Sequence, residues 1–533
     1  MSSLIAPTII LGAIVYLVTR LLRIGMREAG LPPGPPTLSL LGNLHVFPTE
    51  FTHLRLTEWA KQYGAIYSLK LGPSTAIVIS SAAIVKSFMD KSASATTADR
   101  PANFLADRVA GGLNLVLSRY PEPWRTLRKT AHAVLTPQAT ARHLPIQKAE
   151  ATQLMYDILK DPKARPPDFY KHARRYSMSV ILSVLYGKRC PRYDTHEATA
   201  FFHSQGLWEH TLEFGVHPPL DLLPILQYVP ERFAPWKTLT KEVRKLQREL
   251  HLGLLREVEE NLTEGAESGC YMEEVMRRRE EFRMTREMAA YFGAATIEGG
   301  ADTTSYFLQT LILALTAFPE AQRKAHEEID RVVTWEHLPT LEDFAQLPYI
   351  QAVVKEAHRW RPVAPLGVPH AATADEEFGG FLIPKGSTIF VNTWGIFHDS
   401  DMFDNPDIFE PDRFLRSEYG TKPGADDRDF RHTLAFGCGR RICPGIHLAN
   451  NSLMLNAMNL IWAFNFDLAV DPQTRLPIPV DILNYHKARK GILTGPEPFE
   501  CAITPRSAHH ASLIEDAFGD AGHVLYSRHS KRD

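Results

Sequence analysis

The sequence predicts a mainly α-helical fold with a smaller β portion, the α+β class, preceded by one apolar N-terminal helix. Three observations predict it. Apolar residues recur at helical spacing through the long middle of the chain, as in Val243, Leu246, Leu250, Leu254 and Val258, which share one helix face. Short β-branched runs bounded by turn residues occur early, at Ile66 to Leu71 and Thr75 to Ile79, and again late, at Phe381 to Ile383 and Thr388 to Asn392. A single long apolar run lies at the very start of the chain. Sheet drawn from both ends around a helical middle implies one interwoven body and not separable modules.

Taken in order, Leu4 to Leu22 is almost wholly apolar, and Arg20, Arg23 and Arg27 gather at its C-terminal side. A membrane span needs roughly 20 residues, so residues 1–30 are expected to form a transmembrane anchor that leaves the body on the cytosolic side. A cleaved signal peptide would carry its charges before the apolar run. Residues 31–36, LPPGPP, favour an extended polyproline conformation and are expected to act as a stiff spacer. Gly72, Pro73 and Ser74 join the early strands as a hairpin, and Pro384, Lys385 and Gly386 form another turn between the late ones. EGAESG, residues 264–269, is a loop between two long helices. Met288 to Ala317, apolar and rich in small residues, is expected to be a central buried helix. Residues 37–506 make up the body, and 507–533, polar and rich in histidine, are expected to be a loosely ordered tail.

The bulk properties exclude some functions. With 44% hydrophobic residues and a net charge of −2 the chain is globular and lacks the basic excess of a nucleic-acid binder. Its five cysteines are scattered and odd in number, which fits a reducing compartment better than a disulfide framework.

The chemistry concentrates in FGCGRRICPG, Phe436 to Gly445. It sets Cys443 in a glycine-rich, arginine-flanked loop that runs into a helix. A thiolate that ligates haem iron needs N–H groups aimed at sulfur, small residues that let the loop approach a flat macrocycle, and cations for the propionates. Gly437, Gly439 and Gly445 supply the closeness and Arg441 the charge. Pro444 suits a helix start, so the amides that follow can face the sulfur. In the central helix, Gly299 and Gly300 precede Ala301, Asp302 and Thr303. Two glycines inside a helix cost about 1 kcal/mol each relative to alanine, so something must compensate. Without their Cβ atoms the backbone can lie against a flat ligand, and Thr303 can bond the Gly299 carbonyl or a bound oxygen species. An acid next to an alcohol suits proton delivery. Glu298, just before the glycines, can either touch substrate or pair internally. Glu356 and Arg359 lie three apart and share a helix face. Trp124 and Arg128 lie four apart, so indole N–H and guanidinium can donate to one carboxylate.

The spacing of Phe436, Gly439, Arg441, Cys443 and Gly445 resembles the haem loop of the cytochrome P450 family, and Asp302 and Thr303 match that family's acid–alcohol pair. The resemblance covers nearly the whole chain. It implies a buried triad of Glu356, Arg359 and Arg413, with Asp412 a mild departure, and a propionate set of Trp124, Arg128, His370 and Arg441. It implies haem b with Cys443 as axial iron ligand, and a monooxygenase of the microsomal type held at the endoplasmic reticulum membrane. Electrons would come from NADPH through a diflavin reductase, with cytochrome b5 as a further donor, and Arg125, Lys129, Arg431 and Arg440 would steer the donor in. Substrate would meet residues 103–117, 202–214, 294–303, 363–368 and 493–495, segments largely apolar, so the resemblance implies a hydrophobic small molecule. The wording around the motifs resembles fungal secondary-metabolism members. Two rivals remain at this point: a haem-thiolate isomerase or dehydratase that does not use O2, and a non-catalytic, membrane-tethered haem-binding protein.

Overall fold

A computed structural model describes residues 2–161, 168–213, 215–334, 337–482 and 492–526, the side chains of residues 2–10 and 526 excepted. The helices that position the site and the chain ends are α1 (Ser2–Arg23), α2 (Trp124–Val134), α3 (Leu144–Lys160), α4 (Phe169–Tyr186), α5 (His196–Leu212), α6 (Pro235–Glu264), α7 (Arg286–Ala317), α8 (Pro348–Trp360), α9 (Ile446–Ala463) and α10 (Ala508–Tyr526). The strands are β1 (Ile66–Leu71), β2 (Ser74–Ile79), β3 (His370–Ala371), β4 (Glu376–Phe378), β5 (Phe381–Ile383), β6 (Thr388–Val391), β7 (Phe464–Leu468) and β8 (Cys501–Pro505).

Helix α7 runs through the centre. It is apolar nearly all round, the pattern of a helix buried on every side, and it packs on α4, α6, α8, α9 and β7. Thr285 caps its N-terminus by accepting the Met288 N–H. The glycine pair divides its work. A Cβ on Gly300 would stand 2.7 Å from Ile181 Cγ1, so this glycine is what lets α7 lie against α4, whereas a Cβ on Gly299 would meet open space.

The largest sheet has the order β1-β2-β6-β3. β1 and β2 form the expected hairpin, with Ile66 opposite Ile79. β2 then pairs in parallel with β6, Val78 beside Phe390, and β3 closes the edge with His370 beside Ile389. Early and late chain are thus stitched into one body. β7 and β8 form a second antiparallel pair.

The turn of Pro384, Lys385 and Gly386 forms, with Ser387 N donating to Pro384 O at 3.0 Å, but the strands it joins part: β5 pairs back onto β4, Phe378 opposite Phe381, and β6 leaves for the sheet of β2. Three expectations need correcting. The proline segment is no free spacer. The backbone N–H of Ser68 donates to Pro33 O and the Arg27 guanidinium to Gly34 O and Pro35 O, which clasps the segment onto β1. The C-terminal segment is helical over Ala508–Tyr526, with Ile514 and Leu525 buried and Phe518 stacked on Tyr156 of α3 at 4.0 Å. Its few apolar residues, set at helical spacing, supply that packed face. At the other end, among the described residues no helix is long and apolar enough to cross a membrane. The spanning anchor expected over 1–30 has no support in them, and the side chains of its first ten residues lie outside them.

Candidate functional site

Cys443 sits three residues before the start of α9, in a loop that two features hold in shape. Gly437 and Gly439 adopt φ of +93° and +56°, conformations that L side chains rarely take. A Cβ on Gly439 would stand 2.8 Å from Met89 O, and its N–H donates to Asp90 Oδ1 at 2.7 Å. Arg431 grips the same Asp90 and reaches Gly437 O at 3.4 Å. The loop closes on itself where Cys443 N donates to Phe436 O at 2.9 Å. Burial pushes the Cys443 thiol up, while the Gly445 N–H and Arg128 pull it toward thiolate.

Above this loop three guanidiniums converge. Arg441 bonds Ala98 O and Ser118 O, both at 2.7 Å, and lies 4.1 Å from the centre of the Trp124 ring. Arg128, also buried, donates to His132 Nε2 at 2.9 Å. The third, Arg100, donates to Val116 O, Val368 O and Pro369 O. Burial first, then repulsion from Arg100 and Arg128, holds Arg441 down to about 8, and burial, with a smaller push from Arg128, holds Arg100 down to about 10 against the pull of Cys438 and Asp99. Asp99, the carboxylate beside them, is bound to Arg119 at 2.8 Å. Buried cations this close need an anion, and two propionates supply that charge. The residues present therefore fit a haem.

The other predicted donors are placed as follows. Trp124 is a platform under Arg441. His370 Nδ1 meets Thr97 O at 2.8 Å, so in the neutral ring Nδ1 carries the proton and Nε2 accepts. Burial, Arg100 and Arg441 push His370 down to about 3, so it brings no positive charge to the set. Phe436 packs 5.3 Å from the His358 ring, which lies 4.7 Å from Phe307 of α7. This stack of rings joins the cysteine loop to the helix one turn past Thr303.

On α7, Thr303 Oγ1 donates to Gly299 O at 2.6 Å, and both residues retain accessible surface although the helix is central. They border an interior space. Asp302 points elsewhere: it is fully buried, with its carboxylate 3.7 Å from Arg174 of α4. Acid and alcohol, adjacent in sequence, diverge by the roughly 100° that separates neighbours on a helix. Glu298 accepts from Trp208 Nε1 at 2.7 Å and from Asn114 Nδ2 at 3.0 Å. Phe214, at the edge of one expected substrate segment, lies outside the described residues.

Glu356, Arg359 and Arg413 form one buried network. Glu356 is 0% exposed and each arginine 2%. Arg359 binds it with Nε at 2.7 Å and Nη2 at 2.8 Å, and Arg413 Nε at 3.1 Å. Asp412 stands outside, paired with Lys324 at 2.9 Å. Of the surface cations, Arg125 and Arg440 meet at Tyr120 Oη and Lys129 is exposed nearby, but Arg431 is spent on Asp90. Arg100 and Asp90 were missed in the sequence. Neither belongs to a local motif, and Arg100 arrives through the bridge between Asp99 and Ala371.

A half-buried thiol under a nest of guanidiniums, joined by packed rings to a helix opened by glycine, defines a protein built around a dianionic macrocycle. Comparison with known proteins agrees. A model of the cytochrome P450 family matches residues 32–492. A cytochrome P450 monooxygenase of Armillaria gallica is 45% identical over 96% of each chain. The monooxygenase atE of Aspergillus terreus is 39% identical over 85% of this chain and 84% of that one. A solved zebra fish cytochrome P450, titled as a structure with progesterone, superposes with a TM-score of 0.69 at 25% identity, covering 85% of this chain and 99% of that one. The chain belongs to the cytochrome P450 family. It is an oxidoreductase of the monooxygenase class, and its cofactor is haem b.

Proposed function

We propose that this chain inserts one oxygen atom of O2 into a hydrophobic small molecule, by hydroxylation or epoxidation, in fungal secondary metabolism. Named fungal monooxygenases of similar length support the setting. The observation that carries the reading is the pairing of the Cys443 loop with the opened, Thr303-bearing face of α7. Haem, when bound, supplies reductive activation of O2 and transfer of one oxygen atom. Cys443 would hold it through sulfur, with the Gly445 N–H lowering the charge there. Arg100, Arg128 and Arg441 would hold its propionates, and the Glu356 network keeps the cysteine loop in place. Thr303 holds a proton at Oγ1 that can leave Gly299 O for an acceptor in the cavity, and Asp302 with Arg174 offers a second proton-bearing site on the α4 side.

Electrons come from NADPH through a diflavin reductase, with cytochrome b5 as a second donor, docking at Arg125, Lys129 and Arg440. Leu11, Val15, Leu17 and Leu21 are exposed on α1, with Arg20 and Arg23 in its last turn. They support association with the cytosolic face of the endoplasmic reticulum membrane.

The test is spectral and kinetic. Ferrous protein under carbon monoxide is expected to show the red-shifted Soret band of a thiolate-bound haem, and Cys443→Ser to lose it. Thr303→Ala is expected to keep haem and the band while yielding less product per NADPH. A band that survives Cys443→Ser would overturn the ligand. Turnover that needs neither O2 nor reductase would move the chain to the isomerase class.

A further inference from the structure

Glu298 has no part in the chemistry above, yet it occupies the most telling position on α7. It directly precedes Gly299, whose missing Cβ leaves open space, and lies five residues before Thr303, about 7.5 Å along the axis. Its side chain reaches across to two other elements: Oε1 accepts from the indole of Trp208 on α5, and Oε2 from the amide of Asn114. Both partners are themselves buried. Asn114 is in turn held in place, its Oδ1 accepting the backbone N–H groups of Val116 and Leu117. The carboxyl is therefore fixed by a rigid frame, not by a mobile surface partner.

What the frame leaves undone is informative. Each carboxylate oxygen can accept two bonds, and each receives one from a neutral donor. Glu298 keeps part of its surface accessible, as Gly299 and Thr303 do, although α7 is central. Burial holds the carboxyl above its ordinary range against the pull of Trp208 and Asn114, which is the environment of a group walled off from bulk water. A hydrophobic cavity with one fixed polar group is a cavity that orients its ligand.

We propose that Glu298, framed by Trp208 and Asn114, is a specificity residue that accepts a hydrogen bond from a hydroxyl group of the substrate, so that the enzyme selects hydroxylated over bare or O-methylated rings. This rests on the monooxygenase reading. It adds the chemical class of the substrate: a largely apolar ring compound with at least one hydroxyl, set about 7–8 Å along α7 from Thr303. A site built to bond a hydroxyl rejects the analogue without it far more strongly than a greasy pocket rejects a methylene.

The experiment uses the haem-loaded full chain and two matched sets, phenol against anisole and toluene, and 2-naphthol against 2-methoxynaphthalene and naphthalene. Affinities are read from the ligand-induced Soret shift and from tryptophan fluorescence. In at least one set the hydroxyl member is expected to bind 10-fold or more tightly than its partners. Glu298→Ala should reduce that preference to less than 3-fold, and Glu298→Gln, which keeps one acceptor oxygen, should fall between. The carbon monoxide band and melting temperature of each variant show whether fold and haem are intact. No preference for the hydroxyl in either set, or a preference that persists in a folded Glu298→Ala protein, overturns the proposal. Absence of the thiolate band in the unsubstituted protein would instead strike the reading on which it rests.

Discussion

The network of Glu356 predicts the cost of breaking it. Glu356 accepts four bonds: two from Arg359, one from Arg413 Nε, and one from the Glu410 backbone N–H at 2.9 Å. Replacing it with alanine leaves the guanidiniums their carbonyl partners, Phe397 O, Ile408 O and Asp404 O, but removes the charge that offsets their burial. Arg413 retains Glu410 Oε2 at 3.4 Å, so the uncompensated cation is Arg359. An uncompensated buried charge costs about 3–5 kcal/mol. The orphaned Glu410 N–H adds about 1–3 kcal/mol when the two effects are counted separately, and less when they are coupled. We expect Glu356→Ala to lose about 4 kcal/mol, which at about 2.1 cal/mol/K per residue over a body this size lowers the melting temperature by roughly 4 °C. Glu356→Gln should lose nearly as much, because its amide turns a donor toward a guanidinium. The assay is thermal unfolding of haem-loaded protein, followed by circular dichroism and by Soret absorption in parallel. The two transitions should fall together, since the network packs behind the cysteine loop. Glu320→Ala is the control: its pair with Arg323 is 64% and 53% exposed, and no measurable change is expected. A loss below about 1 kcal/mol for Glu356→Ala, the size of an exposed pair, would refute the argument that the network is dry.

Three further outcomes follow from other parts of the structure. Ending the chain after Arg506 removes α10 and the burial of Ile514 and Leu525, at most about 3–6 kcal/mol before the helix's own ordering entropy is returned. The truncated protein should melt several degrees lower, and an unchanged melting temperature would show that α10 does not support the body. His53 and His251 are both 4% exposed, and burial holds them down to about 3 and about 4 against an ordinary 6.5. Between those values the unfolded chain binds more protons, so stability falls as pH drops below about 6.5, by about 2 kcal/mol for each at pH 5. His251→Gln should flatten that dependence, and an equal slope in wild type and variant would remove His251 from the account. Asp90→Ala takes the acceptor from Gly439 N–H and the partner from Arg431. Haem should then transfer to apomyoglobin at least several-fold faster, and an unchanged rate would mean the loop holds its shape without that clasp.

How far the sequence was legible depended on where each residue's partner lay. Cys443, Gly439 and Gly445 were readable because the loop carries its own geometry within ten residues, and Glu356 with Arg359 because one helical turn brings them together. The hairpin of β1 and β2 follows from its turn at Gly72 and Pro73, which sets Leu71 opposite Ser74. The pairings of the late strands do not follow from theirs: β6 finds its partner more than 300 residues upstream, and β5 turns back to a strand whose pattern EEF carries no apolar alternation. Arg100 follows the same logic. Nothing within its own segment marks it, and it joins Arg441 only because Asp99 bridges to Ala371 across the sheet. Asp302 shows the converse. Adjacent to Thr303 in sequence, it reads as one half of a pair, yet helical rotation sends its carboxylate to Arg174 and the hydroxyl to the cavity. Proximity along a helix therefore states which face a group occupies before it states which group it works with. Glu298, one position before the opened turn, is set instead by its ties to Trp208 of α5 and to Asn114, partners that no spacing along its own helix announces.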